Sequence, residues 1–132
     1  MRVRTLLAGA VAVVALLIGV AGPANAAHKD GSCNSGELCL YWSTTSTSFI
    51  DFLIGDNDHR NDTFTCCSDR LGWGQTVADN VATAWNRDSD AYAVVASLLT
   101  CEGAFDVVEP LETTILGDAV RNNNWSNCWE LP

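Results

Sequence analysis

The chain has 132 residues and sets sixteen Asp and Glu against seven Lys and Arg, a formal charge of −9 at pH 7. A surface of that sign repels phosphate backbones and anionic headgroups, which excludes nucleic acid and a membrane surface as partners. Six cysteines in so short a chain point instead to an oxidising compartment and a disulfide-stapled fold.

Segment 1–26 reads as a secretory signal peptide. Met1-Arg2-Val3-Arg4 supplies the positive start, Leu6 to Val20 is almost unbroken apolar sequence, and Gly22-Pro23 precedes Ala24-Asn25-Ala26, an A-x-A cleavage site. The apolar run is shorter than the roughly 20 residues of a membrane span. It also ends in a cleavage site rather than in positive charge. Processing after Ala26 is expected to release a secreted, extracellular chain, 27–132. All sixteen acidic residues stay and Arg2 and Arg4 leave, so five basic residues remain and the charge becomes −11. That length suffices for one domain with its own core.

Ala27 to Ser32 is polar. The cysteines follow at Cys33, Cys39, Cys66, Cys67, Cys101 and Cys128. Cys33 and Cys39 bracket a short turn and are expected partners. Adjacent cysteines rarely bond each other, because such a bridge strains the peptide between them. On that reasoning Cys66 and Cys67 each reach forward, one to Cys101 and one to Cys128. A zinc site is disfavoured, since there is no C-x2-C pair and His28 and His59 are the two histidines.

From Leu38 the chain runs in short segments separated by turn residues. Leu38–Trp42 and Phe49–Ile54 are apolar and aromatic, with the polar loop Ser43–Ser48 between them. Gly55–Asp62 is dense in Asp and Asn and reads as a surface loop, with His59 solvated among Asp56, Asp58 and Asp62. Leu71–Gln75 predicts a tight turn anchored by Trp73. Val77–Asn86 mixes helical and extended signals. Ala91–Leu99 fits one face of a helix or a buried strand, and periodicity does not separate the two. Phe105–Val107 and Thr113–Leu116, either side of Glu109-Pro110, look extended. The pattern predicts one all-β domain, a sandwich or barrel.

No catalytic constellation emerges: no G-x-S-x-G, no H-E-x-x-H, no phosphate-cradling glycine loop. Asn61-Asp62-Thr63 and Asn124-Trp125-Ser126 match the glycosylation pattern. Two other segments repeat a theme. Asp79-Asn80-Val81-Ala82-Thr83 and Asn122-Asn123-Asn124-Trp125-Ser126 each place two Asp/Asn residues ahead of a hydroxyl. Such oxygens are the hard ligands calcium prefers. The same residues also make Asx-turns and hydroxyl caps with no metal.

Cys33-x5-Cys39 with Gly36-Glu37-Leu38-Cys39-Leu40-Tyr41, followed by Gly74-Gln75-Thr76-Val77-Ala78-Asp79-Asn80 through Asp88, resembles the peptidase inhibitor I36 family of secreted actinobacterial proteins. The resemblance implies a single βγ-crystallin-like, Greek-key β-sandwich, and it favours a strand for Ala91–Leu99. It also implies inhibition of secreted proteases, thermolysin-like metalloproteases above all, by a monomer without catalysis of its own. Asp79, Asn80, Thr83, Asn122, Asn123 and Ser126 fall where βγ-crystallins carry their calcium motif, although Ala84 and Asn127 stand where the motif ends in Ser. No known inhibitory loop matches by sequence. By its chemistry the expected one is Cys66, Cys67, Ser68, Asp69, Arg70 and Leu71, an exposed loop pinned by the two disulfides that Cys66 and Cys67 are expected to form. The rival readings are a non-inhibitory structural or calcium-binding module, and a toxin-like surface-interaction protein.

Overall fold

Apolar residues alternate along short runs in this chain, and in a strand alternate side chains point to opposite faces. In the computed structural model, which describes residues 27–132, those runs pair into two antiparallel sheets. The expected leader, 1–26, lies outside the described residues. The strands are β1 (Leu38–Tyr41), β2 (Phe49–Phe52), β3 (Thr83–Asn86), β4 (Tyr92–Ala96), β5 (Phe105–Val108), β6 (Thr113–Ile115) and β7 (Ser126–Glu130). One sheet has the order β2-β1-β3-β6 and the other β5-β4-β7.

The order reveals two Greek keys that exchange their third segments. β1 and β2 form a hairpin that pairs with β3, while β4 and β5 form a second hairpin that pairs with β7. β6, third in the second unit, crosses over to pair with β3. Its counterpart in the first unit is reduced to one bridge, Asp56 opposite Asn127, closed by reciprocal 2.9 Å hydrogen bonds. Gly55 permits this approach, because a Cβ there would sit 3.1 Å from the Asn127 carbonyl oxygen.

Leu38, Leu40, Ile50, Phe52, Phe64, Val77, Val81, Ala84, Val95 and Val108 fill the space between the sheets. The opposite faces of β1 and β2 are buried too. There Cys39, Tyr41 and Phe49 lie under Cys33, Cys66 and Cys67. The N-terminal segment is held over this outer face by its backbone. The Asp51 carboxylate accepts from the amides of Asp30 at 2.9 Å and Gly31 at 2.8 Å, and Lys29 N donates to the Asp51 carbonyl at 3.0 Å.

Within Ala91–Leu99, Tyr92–Ala96 forms strand β4, hydrogen-bonded on both sides by β5 and β7, and Leu99 opens a 3₁₀ turn. β7 has no counterpart in the sequence reading. Three disulfides close the domain: Cys33–Cys39, Cys66–Cys67 and Cys101–Cys128. The first pair is the expected one. The forward reach of Cys66 and Cys67 is overturned, since the two bond each other. The β4–β7 pairing brings Cys128 to the 3₁₀ turn Leu99–Cys101, so those two cysteines find one another instead.

Candidate functional site

The expected inhibitory loop is the top of an excursion between β2 and β3. Its base is a short two-stranded clamp: Thr63 bridges Thr76, Phe64 N donates to the Gln75 carbonyl at 3.0 Å, and Gly74 N to the Phe64 carbonyl at 3.0 Å. Cys66 N donates to the Phe49 carbonyl at 3.0 Å, which roots the Cys66–Cys67 bridge on β2. Above it Ser68, Asp69, Arg70 and Leu71 are exposed. The backbone here is folded on itself rather than extended, with Arg70 N donating to the Cys67 carbonyl at 2.9 Å and Gln75 N to the Gly72 carbonyl at 3.0 Å.

Ser48 holds this crest from below. Its amide donates to the Leu71 carbonyl at 2.9 Å. Its hydroxyl lies 3.1 Å from the Cys67 carbonyl oxygen and 3.2 Å from that of Arg70, so one proton serves both. The side chains point the other way. Leu71 is 70% exposed and Trp73 52% exposed. The reading of Trp73 as the buried anchor of its turn is therefore corrected. The anchor is Trp42, whose side chain lies against Gly72. Gly72 has φ +92°, and a Cβ on it would meet the Trp42 Cγ at 2.3 Å.

Arg70 is the one uncommitted cation among the described residues. Lys29 bonds Asp56 and Asp62, Arg60 bonds Asp58, and Arg121 bonds Asp118. Arg87 reaches the Cys33 carbonyl and lies over the Trp85 ring. The contribution of Ser48 and Trp73 to the site was not legible in the sequence. A serine buried directly before an apolar strand offers no signal, whereas a tryptophan between two glycines hints at exposure.

The calcium candidates are only partly gathered. A cleft of 290 Å³ is lined by Trp42, Ser43, Asp79, Asn80, Ala82 and Asn122, which joins members of both repeats. Thr83, Asn123 and Ser126 are occupied elsewhere. The Thr83 hydroxyl donates to the Ser43 carbonyl at 2.5 Å, that of Ser126 to the Leu98 carbonyl at 2.5 Å, and the Asn123 amide to the Ala119 carbonyl at 3.0 Å. Asp79 accepts the Trp125 indole at 2.8 Å. Calcium takes about six to eight oxygens, and carboxylate count sets its affinity. The cleft supplies one carboxylate, and no group of three His, Cys, Asp or Glu able to hold a metal occurs among the described residues.

His59 also departs from expectation, being fully buried rather than solvated. It opens a 3₁₀ turn, His59–Asn61, stacks on Phe52 with ring centroids 5.1 Å apart, and its Nε2 lies 2.7 Å from Asn127 Oδ1. With the amide oxygen as acceptor, Nε2 carries the proton. Burial pushes the imidazole pKa down, against the opposing pull of Asn127, Asp56 and Asp62. Beside it, Lys29 Nζ bridges Asp56 at 2.7 Å and Asp62 at 2.6 Å. Burial disfavours the ammonium, but those two partners outweigh it and raise its pKa. Under the N-terminal segment, burial raises the carboxyls of Glu37 and Asp51.

These features define a disulfide-bonded, all-β domain of paired Greek keys. A solved βγ-crystallin domain, studied for the evolution of the eye-lens fold, superposes on it with TM-score 0.58. The match covers 76% of this chain and 92% of that one at 13% identity, a likeness of fold. No protein-family model matches the chain. No characterised protein matches it in sequence. Among the described residues, no helix is long and apolar enough to cross a membrane.

Proposed function

We propose that the chain is a secreted, monomeric inhibitor of an extracellular protease, with thermolysin-like metalloproteases the expected targets, and that it acts through the loop at Cys66–Leu71. One observation carries this reading. A backbone bonded to Ser48 and rooted on β2 through the Cys66 amide carries Arg70, Leu71 and Trp73 exposed. A surface already in its bound shape loses little ordering entropy on association. Two large apolar side chains, Leu71 and Trp73, exposed on one short loop mark a surface that a partner would cover. The chain's strong negative charge suits solubility outside the cell and steers it toward basic or neutral targets.

The rival, a structural or calcium-binding module, draws on the cleft that unites Asp79 with Asn122. A titration separates the two. Purified 27–132 in stoichiometric excess is expected to silence thermolysin. Full residual activity of that enzyme and of a trypsin-like serine protease would end the inhibitor reading.

A further inference from the structure

Resting on that reading, we infer that the loop blocks its target through side chains alone and never offers a peptide bond for cleavage. A bond attacked by a protease must be extended, and its carbonyl oxygen must be free for the groups that polarise it. Along this loop the opposite holds. The Cys67, Arg70 and Leu71 carbonyls are bound inward by Ser48, and that of Arg70 also receives the Trp73 amide at 3.4 Å. Ser68 and Asp69 lie inside the turn closed by the Arg70 N to Cys67 carbonyl bond. Presenting the carbonyl of Cys67, Arg70 or Leu71 to a catalytic centre requires pulling the crest off Ser48.

What the loop does present is three exposed side chains, Arg70, Leu71 and Trp73. Its target is therefore a cleft with an apolar pocket for Leu71 and Trp73 and a carboxylate beside it for Arg70. The carboxylate follows from charge. Among the described residues, Arg70 and Arg87 have no acidic partner, and Arg87 is tied to the Cys33 carbonyl and the Trp85 ring, which leaves Arg70 on the exposed loop as the free cation.

The test uses 27–132 with thermolysin as the probe, reading the inhibition constant and the intact mass of the inhibitor after prolonged incubation. Leu71→Ala and Trp73→Ala should each weaken inhibition about tenfold or more, as removal of a central apolar anchor does. Arg70→Ala should weaken it about fivefold and flatten its salt dependence, as loss of a charged rim contact does. All three side chains are exposed, so melting temperatures should not move, which separates lost contact from lost fold. The inhibitor should emerge uncut. Cleavage between Cys66 and Gly74 accompanying inhibition overturns the inference and leaves the inhibitor reading standing. Inhibition indifferent to all three substitutions overturns it too. A wild-type protein that leaves thermolysin fully active overturns both.

Discussion

His59 should make the domain acid-sensitive with a definite sign. In the unfolded chain the imidazole titrates near 6.5, whereas burial holds the folded value lower. A depressed basic group is neutral in the fold, so its stabilising share is complete above 6.5. It is lost as pH falls from 6.5 toward the folded value, because only the unfolded chain takes up the proton. One differential proton changes stability by about 1.4 kcal/mol per pH unit. That is between about a tenth and a quarter of a typical domain's 5–15 kcal/mol for each unit. Charging the ring also sets it against Lys29, though Asp56 and Asp62 face it as well. Glu37 and Asp51 act with the opposite sign. Their raised carboxyls are stabilising below the unfolded values of 4.5 and 3.8, and that share is lost as pH rises through the folded values. The comparison must therefore be differential. Urea unfolding of wild type and His59→Gln, which can still donate to Asn127 but does not titrate, is followed from pH 7.5 to 4.5. The wild-type curve should fall relative to the variant below 6.5. Parallel curves across that window would refute the argument.

Gly72→Ala should destabilise by about 2–4 kcal/mol, combining a side chain at positive φ with a clash on Trp42, measured by denaturant midpoint. Removing Cys101–Cys128 as a double serine variant should cost about 3.5 kcal/mol from the chain closure it spans. Cys66→Ser with Cys67→Ser closes almost no chain, so it should leave the midpoint nearly unchanged while weakening protease inhibition. Melting temperature should be unmoved by millimolar calcium, since a ligand bound only to the folded state would raise it, and a shift of several degrees would restore the metal reading.

The hydrophobic strands were legible because their partners lie close in sequence. Leu38–Tyr41 and Phe49–Phe52 pair as a hairpin, and their alternation states which side faces the core. β7 was not, because Ser126 and Asn127 are polar residues buried through distant partners, Leu98 and His59, that no local pattern reveals. His59 misled for the same reason, since its neighbours in sequence are acidic while its neighbours in space are Phe52 and Asn127. The Cys33–Cys39 pair was legible, whereas the forward pairing of Cys66 and Cys67 rested on the strain of a vicinal bridge and is overturned by Cys66–Cys67. Sheet pairing, not sequence distance, decides which thiols meet, and it delivered Cys128 to Cys101. The exposure of Ser68–Leu71 was legible from its residues, but that the Cys67 and Arg70 carbonyls turn inward onto Ser48 is a tertiary fact.

The reduced third segment of the first Greek key carries a cost of its own. With one bridge at Asp56–Asn127, β7 from Cys128 onward has no neighbour on its outer side, whereas β3 is flanked by β1 and β6. An unflanked strand edge is a template for another chain to add to, and natural proteins blunt such edges with charge and proline. Here Glu130 lies in the strand and Pro132 follows it, and the Cys101–Cys128 bridge ties the strand to the 3₁₀ turn Leu99–Cys101. A charge at Glu130 disfavours such an addition, so Glu130→Val is expected to raise aggregation, read by light scattering, before it lowers the melting temperature.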